Sequence, residues 1–294
     1  MSMALLDDTL RRLLDRLALA VRARSTASRH GGHRSPVLAS GLELADHRPY
    51  TSGDDFRRID WKAFARHRQL AIRQFEEERD ARVYVLVDLS SSMTRGAPPK
   101  VDIARRLTAA LGYLGMKQFD RVRIVPFAAQ TSAASRPFER RERLPALERF
   151  VSTAHAEGVT SFEATARDFA RRFPHRGLVV VVTDLMAPDG WEIGLKLLGS
   201  LGHDLRVVRV TCDEDDAPDF RGEIELDDAE TGELLRLRAD KALLGAYREV
   251  VREHVDRVRS AARGAGGDLV ETPVTAPMER LVRIAVMPER RAAR

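Results

Sequence analysis

The residues with the clearest capacity for chemistry follow two apolar runs of the chain. In VYVLVDLSSSM, residues 83–93, the run ends at Asp88, and the hydroxyls of Ser90 and Ser92 follow at alternate positions. In LVVVVTD the run ends at Asp184. Two carboxylates side by side repel each other, so a cation or a proton has to separate their charges. Carboxylate and hydroxyl oxygens suit a small hard cation, and the pattern therefore predicts a Mg²⁺ or Mn²⁺ site.

A purely structural use of the same residues is the alternative. Ser90 and Ser92 would then cap the next helix, and Asp88 would only accept hydrogen bonds from backbone amides. A serine hydrolase that uses Ser91 is disfavoured, because no histidine of the sequence completes a triad pattern with it.

The elements that must position these residues alternate regularly from Val83 onward. Near-continuous apolar runs at RVYVLVD, DRVRIVPF, RGLVVVVTD, DLRVVRVT and GDLVET predict strands, and helical periodicity dominates between them. This alternation predicts an α/β fold with a doubly wound, mostly parallel sheet flanked by helices. Ligands bind such sheets at the carboxyl ends of the strands, where strand order reverses. If their strands are neighbours, Asp88 and Asp184 converge on that edge.

The chain divides into three predicted parts. Residues 1–28 form an amphipathic helix, residues 29–80 a segment rich in glycine, proline, histidine and charge, and residues 81–288 the α/β domain. Two alternating stretches predict a β-hairpin inserted at about 221–239, and the region after the second strand allows a short edge strand. The apolar face of the first helix is expected to pack on its own domain, with a partner or membrane surface at residues 1–24 as the alternative. That face carries Leu6, Leu10, Leu13, Leu14, Leu17 and Val21.

Composition narrows the functional classes. The chain has 294 residues, a net charge of +5 and a single cysteine, Cys212, which rules out an internal disulfide and fits the cytoplasm. No apolar stretch is long enough to span a membrane, and no signal peptide is expected at the amino terminus. Acidic residues interrupt every basic region and only 5 of the 49 basic residues are lysine, so a nucleic-acid-binding surface is disfavoured.

The spacing Asp-x-Ser-x-Ser at Asp88, Ser90 and Ser92 resembles the metal-ion-dependent adhesion site of the von Willebrand factor A domain family. The resemblance implies a fourth ligand, Thr160 in AEGVTSF, and a fifth, Asp184. It therefore implies a von Willebrand factor A-like fold with a Mg²⁺ or Mn²⁺ site. One departure is Val159, which stands where the family often has a second glycine.

The segment before the α/β domain is similar to the signature of the bacterial domain-of-unknown-function-58 family. The resemblance extends from about residue 30 to about residue 285. The matching signature positions are Gly31, His33, Arg34, Ser35, Arg48, Tyr50, Gly53, Asp54, Asp55, Arg57, Ile59, Asp60, Trp61, Ala65 and Arg66. Within it, SGDD predicts a turn whose acids pair with nearby arginines, in a clamp that packs Trp61 and Phe64 against the sheet edge. The alternative is a partner-recognition surface formed by Asp54, Asp55 and Arg57.

The family resemblance implies a non-catalytic adaptor or co-chaperone for a MoxR-type AAA+ ATPase, acting on an unknown client protein. The chain has no phosphate-binding Gly-x-x-x-x-Gly-Lys-Ser/Thr motif, so it is not expected to be the ATPase itself. Two alternatives are a Mg²⁺-dependent phosphohydrolase with Asp88 as nucleophile and an arginine-rich nucleic-acid-binding protein. The phosphohydrolase is disfavoured because Ser90 stands where a general acid would be required. Asp184→Ala is expected to leave the fold intact, on the premise that Asp184 makes no core contact.

Overall fold

The structure is a computed structural model. It describes residues 5–28, 47–50, 59, 61, 64, 70–73, 82–118, 121–128, 133–216, 218–228 and 232–286. The chain forms two compact units, one of residues 1–38 with 81–294 and one of residues 39–80.

The smaller unit contains one antiparallel strand pair. Its strands are β1 (His47–Pro49) and β2 (Ala71–Arg73), and the Tyr50 amide donates to the Leu70 carbonyl at 2.9 Å. Trp61 meets Phe64 edge to face with ring centroids 6.2 Å apart, and 61% of Trp61 is exposed. The predicted partner-recognition residues Asp54, Asp55 and Arg57 lie outside the described residues.

The larger unit is built on a five-stranded sheet in which all neighbouring strands are parallel. The strands of this unit are β3 (Arg82–Asp88), β4 (Arg121–Phe127), β5 (Leu178–Thr183), β6 (Asp204–Thr211), β7 (Gly222–Asp227), β8 (Leu234–Ala239) and β9 (Asp268–Pro273). Across the sheet the order is β4-β3-β5-β6-β9, so the winding direction reverses between β3 and β5. The predicted doubly wound, mostly parallel sheet flanked by helices is confirmed.

Helices cover both faces of the sheet. They are α1 (Asp8–Ser28), α2 (Lys100–Gln118), α3 (Leu144–Thr153), α4 (Phe162–Arg172), α5 (Trp191–Ser200), α6 (Asp213–Asp216), α7 (Lys241–Gly264) and α8 (Met278–Val286). Because side chains alternate along a strand, Val83, Val85 and Val87 of β3 pack with α1, α2, α3 and α8. Tyr84 and Leu86 face the opposite way and pack with α4, α5 and α7.

The apolar face of α1 is used within its own unit. Leu6, Leu10 and Leu14 are buried in the same core as α2 and α8, as the amphipathic pattern predicted. Asp15 accepts a hydrogen bond of 2.7 Å from the hydroxyl of Tyr113 on α2. This packing favours an intramolecular role for the helix over membrane or partner docking. In the described part of the chain, no helix has the length and apolarity that a membrane crossing requires.

Two features lie at the margins of the sheet. The edge strand after β4 is reduced to one antiparallel bridge, in which Val122 and Phe138 exchange two backbone hydrogen bonds of 3.0 and 2.8 Å. Strands β7 and β8 form a separate two-stranded hairpin within the region predicted for it, and most of their residues are exposed. Asp240 follows the hairpin and caps α7 by accepting from the Leu243 amide at 2.8 Å.

Candidate metal centre at the carboxyl edge of the sheet

The switch point of the sheet brings the two predicted carboxylates to one edge. Asp88 is the last residue of β3, and Asp184 follows the last residue of β5, the neighbouring parallel strand. Both are buried, with 0% of Asp88 and 1% of Asp184 exposed. The sequence-based expectation that the two strands are neighbours is therefore correct.

The carboxylate of Asp88 is surrounded by donors. Its Oδ1 accepts from the Ser90 amide at 3.0 Å and from the Thr160 hydroxyl at 3.4 Å. Its Oδ2 accepts from the hydroxyl of Thr183 at 2.6 Å. Hydroxyl partners from β5 and from the loop before α4 mean that Asp88 does more than bond backbone amides.

The two predicted serine ligands face each other. The Oγ atoms of Ser90 and Ser92 are 3.0 Å apart, and Ser90 stands before a short 3₁₀ turn at Ser91–Thr94. The hydroxyl of Ser90 makes no capping hydrogen bond to that turn. The alternative role of Ser90 as a helix cap is therefore not observed.

Backbone hydrogen bonds join the loop that carries Thr160 to the serine loop. The Ser91 amide donates to the Gly158 carbonyl at 3.0 Å, and the Gly158 amide donates to the Ser91 hydroxyl at 3.0 Å. Ser91 thus ties the loop that carries Thr160 to the serine loop. Val159 points away from this contact with 44% of its surface exposed, so the missing second glycine is accommodated.

Asp184 is paired with a buried cation that the sequence analysis missed. The Lys100 ammonium donates to Asp184 Oδ2 at 2.8 Å, and Asp184 Oδ1 accepts from the Met186 amide at 3.1 Å. Lys100 also donates to Asp215, and its side chain is almost completely buried. The premise that Asp184 makes no core contact is wrong. One signal was available, because lysine as the first residue of helix α2 opposes the helix dipole and needs a local acid.

The charges of this cluster are strongly perturbed. The pKa of Asp88 is raised to about 7, mainly because burial disfavours the charged form and also because Asp184 repels it. Burial alone would lower the pKa of Lys100, but attraction to Asp184 and Asp215 raises it. Among the residues that the structure describes, no cationic side chain pairs with Asp88, whereas Asp184 is paired with Lys100.

The backbone after Asp184 is strained. Leu185 has a φ of 63°, the only positive φ of a non-glycine residue in the described part of the chain. The hydroxyl of Thr183 accepts from the Leu185 amide at 3.1 Å, and the Leu185 carbonyl lies 3.0 Å from Nε2 of His254 on α7. Such strain costs roughly 1–3 kcal/mol and is typical of functional sites, where surrounding contacts enforce it.

Two nearby groups have structural roles. Arg209 is buried and donates to the Asp184 carbonyl at 3.2 Å, while its guanidinium pairs with Asp216 and Glu271. Burial raises the pKa of Cys212 to about 12, which suppresses the thiolate and fits the predicted role of a small residue at a strand end.

The donor set suits a hard cation. Asp88, Ser90, Ser92, Thr160 and Asp184 offer two carboxylates and three hydroxyls, which is the oxygen chemistry that Mg²⁺ and Mn²⁺ accept. The described residues include no cluster of three or more histidine, cysteine or acidic side chains with a metal-binding arrangement.

Comparison with known proteins places the chain in a family. The family model described as "Protein of unknown function DUF58" matches residues 46–257, and the chain belongs to this family. The uncharacterized protein Rv1480 of Mycobacterium tuberculosis is 29% identical over 271 residues, which cover 90% of this chain and 84% of that protein.

Solved structures resemble the chain more distantly. BatB from Bacteroides thetaiotaomicron is 16% identical with a TM-score of 0.45, covering 70% of this chain and 97% of that one. The SpRpn10 VWA domain is 8% identical with a TM-score of 0.42, covering 69% and 93%. These overall similarities are weak, and the fold assignment given above stands on the strand order and its switch point.

Proposed function

We propose that this protein is a non-catalytic, metal-dependent protein-interaction module. One observation carries the proposal: two buried carboxylates and three hydroxyls converge where strand order reverses, and within the described ranges Lys100 pairs with Asp184 but no cation pairs with Asp88. A divalent cation bound there would supply a Lewis-acidic centre that accepts a further oxygen ligand from another protein.

The residues divide this task between them. Asp88, Ser90, Ser92 and Thr160 would hold Mg²⁺ or Mn²⁺, and Asp184 would complete the site from the neighbouring strand. The hydrogen bond from the Thr183 hydroxyl orients the Asp88 carboxylate before any cation binds. A partner's acidic side chain is the expected occupant of the open coordination position.

The neighbourhood of the site favours binding over catalysis. The Ser91 hydroxyl is engaged by the Gly158 amide, and the Cys212 thiol is buried with a raised pKa, so neither serves as a nucleophile. Ser90 occupies the position at which a phosphohydrolase of the predicted type would need an acid. We therefore keep the adaptor role as the proposal.

The partner is proposed from the family resemblance alone. A MoxR-type AAA+ ATPase is the proposed partner, with this chain linking it to a client protein. If the site mediates that contact, chelation of divalent cations by EDTA should release the ATPase, and Asp88→Asn should prevent binding in the presence of Mg²⁺.

Calorimetric titration of Mn²⁺ and Mg²⁺ into chelator-stripped protein tests the metal site directly. We expect one-to-one binding with a Kd on the order of 1 mM, or about 4 kcal/mol, because the site lacks its partner's ligand. Asp88→Asn and Ser92→Ala should abolish it or weaken it severely. Thr94→Ala is the matched control in the same loop, since the Thr94 hydroxyl is exposed and bonds only the Ser91 carbonyl.

Two results would count against the proposal. An equal loss of metal affinity in Thr94→Ala and Ser92→Ala would mean that both substitutions only destabilise the loop. Unchanged binding in Asp88→Asn would place the cation elsewhere.

A further inference from the structure

Lys100 is the fully buried charged group that the proposed function leaves unexplained. It has 0% exposure, and its ammonium contacts Asp184 on one side and Asp215, from the short helix α6, on the other. Arg209, the neighbouring buried cation, is engaged by Asp216 and Glu271 and by the Asp184 carbonyl. Lys100 is therefore the cation that pairs with the Asp184 carboxylate.

The charge of the cluster depends on this lysine. If the three carboxyl groups Asp88, Asp184 and Asp215 are ionised when metal binds, the Lys100 ammonium leaves the cluster with two net negative charges, which a single divalent cation cancels. Without the ammonium, the loaded cluster would stay negative and would repel an acidic side chain from a partner.

The hydrogen bonds of Asp184 also indicate that Lys100 neutralises this carboxylate. Both of its carboxylate oxygens already have donors, Lys100 for Oδ2 and the Met186 amide for Oδ1. A cation centred on Asp88 therefore meets an Asp184 that is already neutralised and oriented.

We infer that Lys100 is a positioning residue that acts as a built-in counter-cation. It competes with the divalent cation for the Asp184 carboxylate, lowers the affinity of the site for metal, and keeps the loaded site neutral so that an acidic partner ligand is accepted. The inference deepens the proposed function and rests on it, because it concerns the same site.

A simpler role for Lys100 predicts the opposite sign. If the lysine only braces Asp184 in the geometry that metal requires, its removal weakens metal binding. If it is a competing charge, its removal strengthens metal binding. The direction of the change in affinity separates the two roles.

The experiment compares Mn²⁺ affinity, measured by calorimetry, in the full chain and in Lys100→Met, with Asp88→Asn as the non-binding control. Loss of a buried unit charge beside the cation should tighten binding at least about tenfold. The metal-free variant should melt at a lower temperature, since it leaves Asp184 and Asp215 without their cation, and added Mn²⁺ should raise its Tm more than that of the parent protein.

Two further variants guard against a folding defect. Lys100→Gln keeps a hydrogen-bond donor without the charge and should also tighten Mn²⁺ binding. Asp215→Asn removes the second acidic partner of Lys100, so the ammonium pairs with Asp184 alone. This variant should bind Mn²⁺ more weakly. Tighter binding in Asp215→Asn would contradict the inference even if neither lysine variant folds.

The outcomes separate the inference from the proposed function. Mn²⁺ binding by the parent protein with equal or weaker binding in Lys100→Met overturns the counter-cation role and leaves the metal site standing. Binding only in the lysine variants supports the counter-cation role and shows that the parent site is not loaded without its partner. Absence of binding in every protein overturns both.

Discussion

Single hydroxyl groups decide whether the buried carboxylates of this protein are satisfied. Asp88 accepts from Ser90, Thr160 and Thr183, and the shortest of these bonds, 2.6 Å, comes from Thr183. The same Thr183 oxygen accepts from the Leu185 amide, at the residue with the strained backbone. One hydroxyl therefore connects the carboxylate of one strand to the turn that follows the next strand.

Thr183→Val should remove this connection without changing the shape of the side chain. The substitution leaves a buried carboxylate oxygen and the Leu185 amide unpaired, which should lower the free energy of unfolding by about 1–3 kcal/mol. Urea denaturation of the metal-free protein measures the loss. Thr183→Ser keeps the hydroxyl and should lower the free energy of unfolding clearly less. An equal decrease in the two variants would mean that the methyl group, not the hydrogen bond, provides the stability.

At the level of elements, close packing between helices limits what the chain tolerates. Helix α5 approaches α4 so closely that a Cβ on Gly194 would lie 2.6 Å from the ring of Phe162, which itself stacks on Trp191 with centroids 4.3 Å apart. The first turns of helix α7 are not crowded in this way, because a Cβ on Gly245 would meet no atom within 4 Å.

This contrast gives a matched pair of substitutions in helices. Gly194→Ala should destabilise the protein by about 1–3 kcal/mol because the added methyl overpacks the α4–α5 contact. Gly245→Ala should stabilise it by about 0.5–1 kcal/mol, since alanine restricts the unfolded chain and nothing obstructs the methyl group. Thermal unfolding of both variants checks the signs. Destabilisation by Gly245→Ala would indicate that the start of α7 is not helical in solution.

Elements were more predictable from the sequence than the contacts between them. The parallel strands follow from apolar runs such as LVVVVTD, because a strand covered on both faces needs no polar alternation. The edge strand after β4 was less predictable, since a single bridge at Phe138 leaves almost no periodic signal.

In the candidate site, too, local patterns were predictable from the sequence and long-range contacts were not. Asp88, Ser90 and Ser92 were found from local spacing, but Lys100 was missed because its partners Asp184 and Asp215 lie 84 and 115 residues away. A sequence pattern places residues on strands and loops, whereas the choice of ion-pair partner depends on how the loops at the sheet edge fold back.

Across the whole molecule, stability should depend on pH through a buried histidine at the other end of the sheet. His203 lies just before β6, and its ring contacts the aromatic rings of Tyr84 and Phe169 at centroid distances of 5.9 and 5.5 Å. Its pKa is lowered from the usual value, chiefly because burial disfavours the imidazolium and also because the charge of Arg176 is close.

The sign of the pH effect follows from this lowered pKa. Below about pH 6.5 the unfolded chain takes up a proton at His203 that the folded protein resists, so the contribution of His203 to folding stability is complete above that pH and declines as pH falls toward its lowered pKa in the folded state. Each unit by which the pKa is lowered corresponds to about 1.4 kcal/mol. His203→Phe should therefore lose less stability between pH 7.5 and pH 5.5 than the parent protein, as measured by urea unfolding at both pH values. The exposed His155 provides the control, and an equal reduction in His155→Gln would assign the pH dependence to general surface charge instead.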